Sequence, residues 1–150
     1  MSKVAIVGYG FVGKATEYFL KNHIENTPQI LIHDPALALR ITDWSGIDYA
    51  FICVPTPLKG SKRAIGNKLD TDIVEEACKK AFTRGGVSRI VIRSTIGPDQ
   101  TAKFTTNMGA IIWPEFLREK HWRDDVDNSD LPMVVGGYQM DHFLNLVKCH

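Results

Sequence analysis

The sequence predicts an α/β fold: a doubly wound parallel sheet of about six strands. Three observations predict it. Short apolar runs alternate with segments of helical spacing along the whole chain, which argues for a parallel sheet with helices on both faces. The run Tyr49 to Val54 is continuously apolar, as a strand covered on both faces is. The polar and proline-rich segments that follow the later strands all fall on one edge of such a sheet.

The first strand, Val4 to Val7, runs into Gly8-Tyr9-Gly10-Phe11-Val12-Gly13, and a helical pattern through Ala15, Tyr18 and Phe19 continues to about Asn22. Strand, then G-x-G-x-x-G, then helix is the dinucleotide-binding fingerprint in the context it requires. Gly8 permits the tight turn, Gly10 lets a pyrophosphate approach the backbone, and Gly13 lets the helix pack on the strand. The helix start at Phe11 and Val12 offers free N–H groups to the phosphates.

The motif gains weight from an acidic residue about 20 positions on, at the end of the next strand. Ile30 to Ile32 reads as that strand and Asp34 ends it. A carboxylate there accepts hydrogen bonds from the adenosine ribose and repels a 2′-phosphate, favouring NAD over NADP. Asp34-Pro35 is also a turn signal, so Asp34 has a second reading as a turn or cap residue. The expected topology is Rossmann-type, strand order 3-2-1-4-5-6, with the ligand crevice at the carboxyl ends of strands one and four.

Between Asp34 and the third strand the chain is short, and 36–40 has room for one or two helical turns. Strand three, 49–54, ends at Pro55-Thr56-Pro57, where two prolines hold the chain extended. A loop covers 58–69. A helix then opens near Asp70, with Ile73, Val74, Ala77, Cys78 and Ala81 as its apolar stripe, and stops at Gly85-Gly86. Strand four is 89–93, followed by a short helix from about Asp99 to Thr105, and strand five is 110–113. Residues 114–119 read as a loop or single turn, 121–130 as an exposed charged stretch, and 133–135 as a sixth strand closed by Gly136-Gly137. A last helix spans about Gln139 to Cys149.

A chain of 150 residues is long enough for one domain with a core. The net charge of +1 supplies no electrostatic case for nucleic acid or an anionic membrane. The basic run Lys59 to Lys68 is broken by glycines and reads as a solvated loop. No apolar run approaches the roughly 20 residues of a membrane span, and the N-terminus lacks a signal-peptide pattern. Cys53, Cys78 and Cys149 have no C-x-x-C spacing and suggest free thiols in a reducing compartment, with no metal site expected. A cytoplasmic location is the expectation.

Three strand ends resemble one family. Phe51-Ile52-Cys53-Val54-Pro55-Thr56-Pro57, Arg93-Ser94-Thr95-Ile96-Gly97-Pro98 and Pro114-Glu115-Phe116-Leu117-Arg118-Glu119 follow the glycine motif in order. Together they resemble the N-terminal NAD-binding domain of the nucleotide-sugar 6-dehydrogenases, the UDP-glucose and GDP-mannose dehydrogenase family. The resemblance implies an NAD-dependent, two-step oxidation of a sugar C6 hydroxyl to a carboxylate through a cysteine-bound thioester. It also implies that Val54, Pro55, Thr56 and Thr95 line the cofactor and reaction region, and that Thr95 helps hold a catalytic water. Glu115 and Glu119 match the two family glutamates, one assisting hydrolysis and the other tied to acid/base work. Four apart, they would share one face of a helical turn; read without the family, they start a short surface helix, and Thr95 is an N-cap.

Two departures stand out. The segment after Asp34 is shorter than in the family, without its Pro-Gly-Leu turn, and the family's catalytic cysteine and lysine motifs do not occur. Cys53, inside an apolar strand, reads as a small core residue and not as a substitute nucleophile. The expectation is one dinucleotide-binding domain over 1–150, acting on UDP-glucose or a similar nucleotide sugar. A homodimer or a partner chain would supply the missing domain, with Trp113, Phe116, Leu117 and Trp122 exposed toward it. The alternative is a stand-alone NAD-binding module without turnover. A 3-hydroxyacid-type dehydrogenase shares the first motif but lacks the P-E-F-L-R-E segment.

Overall fold

The computed structural model describes residues 1–58, 69–128, 130 and 132–148; the basic run Lys59 to Lys68 and Cys149 lie outside the described residues. The strands are β1 (Lys3–Val7), β2 (Gln29–His33), β3 (Tyr49–Ile52), β4 (Arg89–Ile92) and β5 (Ile111–Ile112). The helices are α1 (Phe11–Asn22), α2 (Asp72–Gly85), α3 (Pro98–Met108), α4 (Trp122–Asp127) and α5 (Met140–Leu146).

The five strands are all parallel and lie in the order β2-β1-β3-β4-β5. Alternate side chains feed two cores, one on each face of the sheet. Val4, Ile6, Phe51, Val91 and Ile111 pack with Leu20 of α1 and with Phe143 and Val147 near the end of the chain. Ala5, Val7, Ala50, Ile52, Ile90 and Ile92 pack with Val74, Cys78 and Ala81 of α2 and Phe104 of α3. The doubly wound α/β class is therefore the one the sequence predicts.

The strand order departs from the expected 3-2-1-4-5-6. The third strand pairs with β1, not with β2, in register Val4 to Tyr49. Burial explains why. All four residues of β3 are buried, as suits a central strand, whereas β2 is exposed at Gln29 and half-buried beyond it. The 35–48 connection forms one 3-10 turn, Pro35–Leu37, and then inserts Ile41, Trp44 and Ile47 into the α2-side core. It carries neither an α-helix nor another strand. A Cβ at Gly85 would lie 2.5 Å from Trp44 Cβ, so the end of α2 sits this close to the plug because residue 85 is glycine. The switch point of the topology consequently falls between β1 and β3.

The sixth strand does not form. Met133 and Val134 are exposed, and only Gly136 pairs, in an antiparallel bridge exchanging two 2.8 Å hydrogen bonds with Ile112. The 121–130 stretch is not uniformly exposed either. It contains α4, whose Asp125 is buried because the Arg118 side chain and backbone N–H both bond its carboxylate. Of the apolar residues expected to be exposed, Phe116 is (55 %), but Trp113 is buried at 5 % against Phe19, Phe51 and Phe143. Among the described residues no helix is long and apolar enough to cross a membrane.

Candidate active site

Beyond the carboxyl ends of β1, β3 and β4 the ladder continues for one more residue on each neighbouring strand. Cys53 N–H donates to Val7 at 2.8 Å, Arg93 to Ile52 at 2.9 Å and Trp113 to Ile92 at 2.9 Å. This brings the segments after the strands to one edge. There they line a cleft of about 560 Å³, formed by Gly8 to Val12, Asp34, Ala36, Cys53 to Thr56, Arg93 to Thr95 and Glu115. That volume is in the range of small-molecule and cofactor pockets.

The glycine turn has the shape the fingerprint requires. Gly8 has φ +89°, and a Cβ there would meet the Cys53 carbonyl oxygen at 2.8 Å. A Cβ on Gly13 would fall 2.2 Å from the Gly8 carbonyl oxygen, so α1 crosses its own entry turn in near contact. At Gly10 the situation is the reverse: a Cβ would meet nothing within 4 Å and would project into open space. Gly10 is also the N-cap of α1, with no side-chain capping bond and no acidic residue in the first turn. Phe11 and Val12 thus present helix N-terminal N–H groups at the cleft, where an anion would cap them.

Asp34 serves the fold and the cleft together. One carboxylate oxygen accepts from Tyr9 N–H at 2.7 Å and the other from Ala36 N–H at 3.1 Å. The turn-and-cap reading is therefore correct, and the same carboxylate still lines the cleft with spare acceptor capacity. An open cradle over Gly10, an uncapped helix start and a carboxylate at the end of β2 together fit a dinucleotide's pyrophosphate and ribose.

On the opposite wall, Thr56 is half-buried and Thr95 exposed, both facing the cleft. Ser94 straps the two loops: its hydroxyl donates toward Val54 at 2.7 Å, with Ile52 at 3.2 Å as a second acceptor. Glu115 also lines the cleft, and its carboxylate accepts from Leu117 N–H at 3.2 Å. Burial pushes its pKa up, while the Leu117 bond and the Arg93 charge pull the other way. Glu119 is not with it. The segment after Trp113 is not helical, so four-residue spacing does not put the two carboxylates on one face, and Glu119 lies exposed in a turn outside the cleft lining.

The cleft also uses residues the sequence reading did not select: Tyr9, Ala36, Cys53, Arg93 and Ser94. Arg93 is 5 % exposed, and burial pushes its pKa down to about 10. The available signal was a cation directly following a buried apolar run at the functional edge. Cys53 is a buried thiol pushed up to about 11, first by burial, and Cys78 is pushed up to about 12 for the same reason. Among the described residues no grouping of His, Cys, Asp and Glu could hold a metal ion.

No protein-family model and no curated protein sequence matches the chain. Solved structures do. The UDP-N-acetyl-mannosamine dehydrogenase Cap5O from S. aureus superposes with a TM-score of 0.60 at 19 % identity, covering 83 % of this chain and 38 % of that one. An imine reductase from Aspergillus terreus has a TM-score of 0.49 at 14 % identity, covering 99 % of this chain and 53 % of that one. A reductive aminase from the same organism has a TM-score of 0.48 at 13 % identity, covering 99 % and 54 %. At these identities the likeness is one of fold. The chain spans little more than a third of the UDP-sugar dehydrogenase it resembles.

Proposed function

We propose that this chain is the NAD-binding domain of a nucleotide-sugar 6-dehydrogenase-like oxidoreductase, taking a sugar C6 hydroxyl to the carboxylate. The observation that carries the proposal is one cleft lined by the glycine turn, Asp34 and the ends of all three family-like segments. The fold likeness to a UDP-sugar dehydrogenase supports the same reading.

In this reading Gly10 leaves space for the pyrophosphate, and Gly8 and Gly13 hold the turn that shapes the cradle. The N–H groups of Phe11 and Val12 bind the phosphates. Asp34 accepts from the adenosine ribose hydroxyls, and its charge disfavours a 2′-phosphate, which makes NAD the preferred cofactor. Val54, Pro55 and Thr56 flank the cofactor on the β3 side. The nicotinamide, when bound, supplies the hydride acceptor. Thr95 positions a water, and Glu115, its proton affinity raised by burial, exchanges the proton. Glu119, exposed in a turn outside the cleft lining, takes no part in this step.

Burial pushes the Cys53 thiol up to about 11 and the Cys78 thiol up to about 12, which works against either serving as the nucleophile that a thioester route requires. The chain by itself binds NAD(H) and does not oxidise UDP-glucose. It acts as one domain, 1–150, of a larger catalytic unit whose other part comes from further chain, a partner or a second copy. Titration with NADH and with NADPH, read by energy transfer from tryptophan, tests the binding. Tight NADH and poor NADPH binding supports the reading. Binding of neither, or steady NADH production from UDP-glucose by the pure chain, contradicts it.

A further inference from the structure

Arg93 is enclosed with no anion bonded to it among the described residues. It follows β4 at the functional edge and forms part of the wall between two clefts: the one described above, and a smaller one of about 90 Å³ against Phe19, Trp113, Glu115 and Leu117. Its guanidinium lies 3.8 Å from the centroid of the Trp113 ring, so one flat face is taken by the indole. The side chain has no hydrogen bond or ion pair to any described residue, and its Nε is buried with no partner. Glu115, the carboxylate whose charge reaches Arg93, accepts from Leu117 N–H and not from the guanidinium.

An arginine stays charged at neutral pH even when enclosed, and a buried charge demands a counter-charge. Stacking fixes the plane of the fork without using its in-plane donors. A held guanidinium plane with free edge donors is the arrangement that recognises a carboxylate in two-point fashion.

We propose that Arg93 binds a ligand carboxylate at the junction of the two clefts. Resting on the nucleotide-sugar reading, that ligand is the C6 carboxylate of a uronate product. Arg93 then distinguishes the oxidised sugar from the neutral alcohol, holding the end of the molecule that the reaction changes.

Glucuronate and glucose, which differ only at C6, test this. The Arg93 Nε–H resonance is assigned in a ¹⁵N spectrum by its loss in Arg93→Lys, and each sugar is titrated into the 150-residue chain. The expected result is that glucuronate moves this resonance and glucose does not. Glucuronate binding, read on the backbone amides around Trp113, weakens about tenfold in Arg93→Lys and in Arg93→Met. An unmoved Nε–H at saturating glucuronate overturns the proposal, as does equal binding of the two sugars, or binding by the variants equal to that of the parent. If Arg93→Met does not fold, Arg93→Lys and the parent titration still decide it. NADH titration of the parent chain is a separate arm: loss of NADH binding there removes the nucleotide-sugar reading without altering the carboxylate result.

Discussion

The Asp34 carboxylate accepts a 2.7 Å hydrogen bond from the backbone N–H of Tyr9, 25 residues earlier in the chain. The acidic residue at the end of β2 is thereby fastened to the glycine turn at the end of β1. Asp34→Asn keeps an acceptor for one of the two backbone donors but removes the negative charge. We expect the variant to fold and to lose NADH affinity by about tenfold, the scale of one charge-assisted hydrogen bond. The ratio of NADPH to NADH affinity should rise, because nothing then repels the 2′-phosphate. Titration of both cofactors measures the ratio, and an unchanged ratio would remove Asp34 from cofactor selection.

Gly13→Ala places a methyl group 2.2 Å from the Gly8 carbonyl oxygen, and the atom it strikes is backbone. Backbone on both sides cannot rotate away, so α1 must shift off β1. We expect a loss of about 2 kcal/mol or more, at the upper part of the range for overpacking. Denaturant midpoints measure it, and a midpoint within error of the parent would mean α1 is not held against its entry turn as described.

Asp125 is bonded by the Arg118 side chain and N–H, and this holds its pKa below the usual carboxylate range. The folded-state pKa lies below the unfolded one, so the contribution to stability is present above about pH 4 and is lost as pH falls through the folded value. Asp125→Asn should lower Tm at pH 7, and the gap to the parent should close on acidification below about pH 4. A gap that stays constant down to pH 2 would assign the loss to packing instead of charge.

What could be read from the sequence was local. Strand, turn and helix from Lys3 to Asn22 follow from adjacent residues, and so does Asp34 at the end of β2. Long-range choices were harder. Placing 49–52 beside β1 required weighing its double burial against the exposed Gln29 of β2, although both facts are legible in composition. The burial of Asp125 depends on Arg118 folding back seven residues, which no periodicity reports. Glu115 and Glu119 have helical spacing, but the chain between them does not coil, and Leu117 N–H binds the first carboxylate instead. Arg93 looked like the polar end of a strand, and its enclosure comes from Trp113, a residue of the neighbouring chain segment. The carboxyl-edge cleft itself was legible, because strand ends of a parallel sheet share one side.

The most direct test of the dinucleotide cleft is NADH binding by Gly10→Ala beside the parent. The added methyl meets no protein atom within 4 Å and sits on a residue that lines the cleft, on the turn where the pyrophosphate would rest. A stability within about 0.5 kcal/mol of the parent, as for a surface substitution, is expected together with at least tenfold weaker NADH binding. An unimpaired NADH affinity in a folded Gly10→Ala would contradict the dinucleotide cleft, since the phosphates could not then rest on this turn.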